Sequence, residues 1–396
     1  MRQNDLDGKK PVRITVLMAA ALLAFALGGC AQQGTQTGSA NGSAAVAQQE
    51  TARVSGTVTG DLKFDCAETS FAKDELAAAG IELGDSVDVE FSNGYTMDDV
   101  AYLSGYYIKK GSPIVAAYPG ADCLVITKNN SDFWTPAGLA DGDIVTISLH
   151  AKGEYLELET ALSQSYSTDA DDYSNAQAFA NFRALVGGNL KKDFLYRGAS
   201  PVDNSYNRAS TVDALMEQAG IEFELDLADS EEDLAGYEQT AGFSSPYVTN
   251  LIESGRATLL GLGSNYDTET FKTGLGSGLR AMMTCGGKAY VHCTEGKDRT
   301  GFVCLLLEAL AGASVDEMCA DYMQTYDNYY GINAADTPET YELVVANYFE
   351  TFLEDLSGTS GEALQMADYV AAAKTYLAEC GLSDTEIEQL QAFICA

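Results

Sequence analysis

The chain has 396 residues, 46% of them hydrophobic, which is enough for the cores of two ordinary domains and too much for a disordered polymer. Its 58 acidic side chains outnumber 23 basic ones, giving a formal charge of -35. That balance excludes a nucleic-acid partner held by phosphate neutralisation, and it requires any anion site to be a local positive pocket in an opposing field.

At the N-terminus, Arg2, Lys9, Lys10 and Arg13 precede an apolar run from Ile14 to Leu27, too short to span a membrane comfortably. It reads as a secretion signal. The run ends in Leu27-Gly28-Gly29-Cys30, which resembles a bacterial lipobox. The resemblance implies a lipoprotein signal over residues 1–30, a lipidated Cys30, and export to the outer side of a bacterial cell membrane. Residues 31–53 are Gln, Gly, Ser, Thr and Ala with almost no large apolar side chain, the composition of a flexible linker.

Residues 54–162 carry strand signals. Val87, Val89 and Phe91 alternate with acidic residues before an Asn93-Gly94 turn, and Val145, Ile147 and Leu149 alternate in the same way. With the apolar run from Cys123 to Ile126, this predicts a small β-rich domain, barrel or sandwich. His150 falls on its polar side and is expected at the surface. Neither His150 nor His292 stands in a zinc-ligand spacing, the nine cysteines show no close pairing, and no metal or cofactor is expected.

After an acidic, Ser-rich connector around 163–174, strands and helices alternate, which predicts an α/β domain with a mostly parallel sheet flanked by helices over 163–396. Ile221–Leu227 and Ala289–His292 read as strands, and Val212–Gln218 and Thr268–Thr284 as helices. Thr300–Leu310 is apolar nearly all round, so a buried helix is expected. Ser314 with Glu317, and Ser383 with Glu386, have the spacing of capping boxes, and Thr337-Pro338 starts a further helix.

Chemistry concentrates in His292-Cys293-Thr294-Glu295-Gly296-Lys297-Asp298-Arg299-Thr300-Gly301, between a strand and the buried helix. A loop closing on a helix N-terminus presents several backbone N–H groups and the favourable end of the helix dipole to an anion. Gly296 lets the backbone curl tightly, and Arg299 supplies a planar two-pronged donor for phosphate oxygens. The same positive surroundings favour a Cys293 thiolate able to attack phosphorus in line with the leaving oxygen. No histidine base is then required, so His292 is read as an orienter of the loop, and Thr300 as a hydrogen-bond donor to the sulfur.

This stretch resembles the signature loop of the cysteine-dependent tyrosine and dual-specificity phosphatases, and its Gly-Lys-Asp-Arg-Thr ending is similar to bacterial secreted members that also accept phosphoinositides. Leu195-Tyr196-Arg197-Gly198-Ala199-Ser200 is similar to the motif that opens the family's domain, and Asp321 to Tyr326 resembles its downstream helix. The β-rich domain also resembles one that accompanies such phosphatases in some Gram-positive bacteria. The resemblance implies catalysis by Cys293 and Arg299 on a phosphotyrosine protein or phosphoinositide, with Thr294, Glu295, Gly296, Lys297, Thr300 and Arg197 around the substrate. It implies Asp298 as general acid and Lys297 as a contact for extra phosphates on an inositol ring. Many relatives end an earlier strand Asp-Leu-Arg where this chain has Asp226-Leu227-Ala228. Asp226, at a strand end facing the same crevice, is the alternative acid. Arg197 is open to two roles, substrate contact or loop brace.

Three other readings compete: an inositol polyphosphate phosphatase, a lipid-anchored binding protein with an inactive loop, and a rhodanese-like sulfur transferase. The intact Cys293, Gly296, Arg299 and Thr300 weigh against the last two. In an oxidising compartment Cys285 is a candidate disulfide partner for Cys293.

Overall fold

The computed structural model describes residues 52–396, apart from 63, 119, 120 and 130. The signal segment, Cys30 and nearly all of the linker lie outside the described residues.

Seven strands form the N-terminal part: β1 (Arg53–Asp61), β2 (Cys66–Thr69), β3 (Ser86–Phe91), β4 (Thr96–Leu103), β5 (Pro113–Ala116), β6 (Val125–Lys128) and β7 (Ile144–Ala151). They close into a barrel in the order β1-β2-β6-β5-β4-β3-β7, with β7 pairing back to β1. Closure leaves no open sheet edge. The alternation works as pleat geometry requires: Val87, Val89 and Phe91 are buried while Glu90 faces solvent. Gly94, at φ +88, turns the chain between β3 and β4 and donates its N–H to the Phe91 carbonyl at 2.9 Å. His150 lies outside, half-exposed, 2.8 Å from Asp88.

One barrel pairing breaks the antiparallel pattern. β4 and β5 are neighbours in parallel, with Ala101, Tyr102 and Leu103 opposite Ile114, Val115 and Ala116. Parallel neighbours cannot be joined by a tight hairpin, so the chain must cross over between them. The crossover, residues 104–112, projects onto the second part of the molecule.

That second part contains β8 (Arg183–Ala184), β9 (Leu195–Gly198), β10 (Phe223–Asp226), β11 (Ala257–Leu259) and β12 (Ala289–His292), ordered β11-β10-β12-β9-β8. β12 lies between β10 and β9 and pairs with both in parallel, as β10 does with β11; β8 is antiparallel on β9. Every residue of β12 is buried. Its Val291 joins Leu225, Leu275, Leu279 and Met282 on the face covered by helix Glu269–Cys285. Tyr290 packs on the other face with Val212, Met216, Val248 and Leu251, from helices Ala209–Ala219 and Pro246–Glu253. Helix Asp298–Leu310 is buried from Thr300 onward, as its all-round apolarity demands. Both capping boxes form, at Ser314 with Glu317 and at Ser383 with Glu386. The expected strand Ile221–Leu227 is shorter, Phe223–Asp226, although the buried Leu227 still donates its N–H to the His292 carbonyl at 2.9 Å.

Candidate active site

Strand β12 delivers Cys293 to the end of the sheet, and helix Asp298–Leu310 starts five residues later. Between them the chain must reverse within a few residues, and Gly296 does so at φ +70. A side chain there is impossible without movement: an added Cβ would stand 2.2 Å from the Gly198 carbonyl oxygen at the end of β9. Cys293 sits at the bottom of this loop, 3% exposed.

Behind the loop lies a buried ionic brace. Arg197, 1% exposed, donates from Nη2 to the Gly296 carbonyl at 2.8 Å and from Nη1 to Asp321 Oδ2 at 2.5 Å. Asp321 also accepts from Arg183 Nε at 2.8 Å, and Asn181 Nδ2 reaches the Gly296 carbonyl at 3.2 Å. Burial works against the Asp321 carboxylate, but Arg183 and Arg197 outweigh it and hold its pKa below the ordinary value. Arg197 therefore braces the loop from the side away from the crevice. Of the two roles left open for Arg197, its burial and these bonds fit the loop brace and not the substrate contact.

His292 is fully buried, its Nε2 2.9 Å from Glu224 Oε1 and its Nδ1 3.9 Å from Asp226 Oδ1. Burial opposes its charge, but Asp226 and Glu224 raise the pKa to about 9. It fastens β12 to β10 from beneath. Asp226 is 1% exposed, with Oδ1 accepting from the backbone N–H groups of Ala228 at 2.8 Å and Asp229 at 3.1 Å. It is turned into its own loop under the sheet end, so its expected part as an alternative acid is corrected as well.

In front, Arg299 donates from Nη1 to the Leu262 carbonyl at 3.0 Å and from Nη2 to Thr294 Oγ1 at 3.3 Å. Burial disfavours its charge, while Cys293, Tyr266 and Asp298 favour it enough to raise its pKa. The rim carries Glu295, Lys297 and Asp298. Lys297 Nζ stands 3.9 Å from both Glu295 Oε2 and Asp298 Oδ2, and close to the faces of Tyr326 and Tyr330. Asp298 is half-exposed; the protein around it and then Glu295 raise its pKa, against the pull of Lys297 and Arg299. Thr300 Oγ1 is buried and makes no hydrogen bond, so the expected bond to the sulfur is absent in this state.

Several contributors escaped the sequence reading. Tyr166, in the connector, donates its hydroxyl to Glu295 Oε1 and stacks on Tyr329 at 4.8 Å, and Tyr329 donates to the Glu295 carbonyl at 2.7 Å. Arg208, 1% exposed, sits over the rings of Tyr166 and Tyr329 at 4.7 and 4.5 Å. Glu224 carried one usable signal: it shares a face of β10 with Asp226, and two acidic residues on a buried strand demand a partner. Cys285 is excluded as a partner for Cys293. Its thiol lies 3.7 Å from the Glu222 carbonyl, at the far end of the sheet. The length of β12, roughly 13 Å at strand rise, separates the two cysteines, beyond disulfide reach.

Comparison with known proteins bears on the family of the chain. A Cupriavidus necator protein provisionally named a tyrosine-protein phosphatase is 51% identical over 41 residues, 10% of this chain and 15% of that protein. The match thus spans well under two thirds of the relative. A solved structure, that of an uncharacterized conserved protein from Thermotoga maritima, is 21% identical over 24% of this chain and 35% of that one, with a TM-score of 0.22, too low to carry an argument. The profile of the tyrosine phosphatase family matches residues 169–396, from the connector through the cysteine loop to the last helix. Spanning more than half of the sequence and containing every residue of the loop and its brace, that match places the chain in the tyrosine phosphatase family.

Proposed function

We propose that this protein hydrolyses phosphate monoesters through a phosphocysteine on Cys293. The observation that carries the reading is a buried cysteine at the base of a strand-to-helix loop, beside a guanidinium held by the Leu262 carbonyl and Thr294. In the first step the Cys293 thiolate attacks phosphorus, an S–P bond forms and the P–O bond to the leaving group breaks. A proton passes from Asp298 to the departing oxygen. Water then attacks phosphorus and gives a proton to the Asp298 carboxylate, the S–P bond breaks, and inorganic phosphate leaves with the thiolate and the Asp298 carboxyl both restored. Asp298 suits the acid role because it stands half-exposed on the rim of the loop, and the protein around it works against its charge and so favours the protonated carboxyl. Arg299 and the loop N–H groups hold the equatorial oxygens throughout.

The substrate we favour is a phosphotyrosine protein. The charge of Lys297 is already shared by two carboxylates at 3.9 Å and two tyrosine rings, leaving little for the extra phosphates of an inositol ring. The net charge of -35 also repels polyanions at long range. The signal segment and Cys30 support export and lipid anchoring on the outer face of a bacterial membrane. The test is phosphate release, with EDTA present, from phosphotyrosine peptides, phosphoserine peptides, phosphoinositides and inositol phosphates, beside Cys293→Ser. Release lost in the variant and highest on phosphotyrosine supports the reading; no release from any ester under reducing conditions removes it in favour of a binding role.

A further inference from the structure

The β4–β5 crossover of the barrel touches the machinery of the other part of the molecule at two points. At its far end, Lys110 Nζ lies 2.7 Å from Asp267 Oδ2 and 2.7 Å from Asp355 Oδ1, with the lysine side chain 16% and Asp355 8% exposed. At its start, Tyr348 donates its hydroxyl to the Tyr106 carbonyl at 3.1 Å, and Tyr107 packs against the core of the family domain. The crossover is itself rigid. Ser104 donates its N–H to Glu159 at 2.9 Å and its hydroxyl lies 3.3 Å from that of Tyr107, Asn129 bonds the Ile108 carbonyl, and Gly111 donates to the Asn129 carbonyl at 2.7 Å.

Asp267 is not an arbitrary anchor. It ends the segment 260–267 that follows β11, and this segment supplies the Leu262 carbonyl that accepts from Arg299. The first half of the segment is tied to the sheet: Gly261 and Leu262 donate to the Asp229 and Leu227 carbonyls, each at 2.9 Å. Its second half has Tyr266 stacked on Phe302 at 4.3 Å, directly over the helix that begins at the loop. Past Tyr266 the charged contacts of Asp267 are Lys110, at 2.7 Å, and the longer 3.7 Å approach of Lys272.

We propose that Lys110, a residue of the barrel, is a positioning residue for the phosphate site: through Asp267 it fixes the segment that holds Arg299, so the barrel is a working part of the site. This rests on the phosphatase reading for its catalytic consequence, but not for its consequence in anion binding. A guanidinium misplaced by about 1 Å loses much of its two-pronged fit to phosphate, with losses on the order of tenfold or more.

The test uses the full chain as wild type, Lys110→Met, Lys110→Arg and Asp267→Asn. The Asp267 side chain is 55% exposed, so Asp267→Asn removes the bridge without leaving a buried charge. Binding of inorganic phosphate is measured by calorimetry, kcat and KM on an aryl phosphate, and thermal midpoints alongside. Expected are about tenfold weaker phosphate binding and a KM raised about tenfold in Lys110→Met and Asp267→Asn, with Lys110→Arg within about threefold of wild type. Wild-type phosphate binding and KM in both, whatever happens to the midpoints, would overturn the proposal and leave Lys110 a structural link. Should the wild type hydrolyse no ester yet bind phosphate in a Lys110-dependent way, the positioning role stands and the phosphatase reading falls.

Discussion

Gly296→Ala isolates the contribution of loop shape. The residue has φ +70, and its added Cβ would stand 2.2 Å from the Gly198 oxygen and 2.3 Å from its carbon, where real contacts are essentially never under 3.0 Å. The obstacle is backbone, which cannot rotate aside, so loop or strand must yield by about 1 Å. Gly220→Ala is the control, since Gly220 has φ +67 and nothing within 4 Å of the added atom. Both variants carry the left-handed penalty of about 1 kcal/mol. Gly296→Ala adds an overpacking cost of about 1–3 kcal/mol and displaces the loop N–H groups proposed to hold the phosphate, for a loss of roughly 100-fold in kcat/KM. Urea midpoints and aryl phosphate kinetics read the two effects separately. If Gly296→Ala keeps kcat/KM within about threefold of Gly220→Ala, the close approach of Gly296 to β9 does not set the shape of the catalytic loop.

Arg197→Met should cost about 3 kcal/mol in urea unfolding, because it leaves the buried Gly296 carbonyl and Asp321 each short of a partner. Asp298→Asn should lower kcat by about 100-fold or more on alkyl phosphates and far less on esters with acidic leaving groups, which need no proton; equal loss on both removes Asp298 from the acid role. Burial, then Asp226, hold the Asp229 carboxyl up to about 7, so the native state binds its proton more tightly than the unfolded chain. Its contribution is present at low pH and is lost as pH rises from the ordinary carboxylate range toward 7. His292, raised to about 9, contributes fully below its unfolded pKa and loses that contribution as pH rises through 9. Unfolding midpoints should therefore fall across neutral pH toward 9, and Asp229→Asn should flatten the lower part of that fall; an unchanged slope contradicts the assignment. Thr300→Val should leave stability unchanged or raise it, since the hydroxyl is buried without a partner.

The parts legible from sequence were those encoded locally. The Val87-Val89-Phe91 alternation, the Ser314 and Ser383 capping boxes and the apolar helix after the loop each follow from neighbours in the chain, and each forms as read. The loop was legible because its chemistry is contiguous from His292 to Gly301. What stayed hidden depends on residues far apart in the chain meeting in space. Nothing near Arg197 announces that it points away from the crevice to Asp321, 124 residues on. Asp226 looked accessible because a strand end usually faces the crevice, but the N–H groups of Ala228 and Asp229 draw its carboxylate inward. Nothing in the sequence sets Lys110 apart from the adjacent Lys109, and the parallel β4–β5 pairing that places it against Asp267 has no signature in a short strand pattern.

The central claim is that phosphate passes through Cys293 as a covalent adduct. Mixing enzyme with excess aryl phosphate, quenching in acid within milliseconds and reading the intact mass and the modified peptide tests it directly. The account predicts a burst of leaving group, one phosphate carried on the peptide holding Cys293, and neither in Cys293→Ser. Steady phosphate release without that adduct, or release that survives Cys293→Ser, would contradict it.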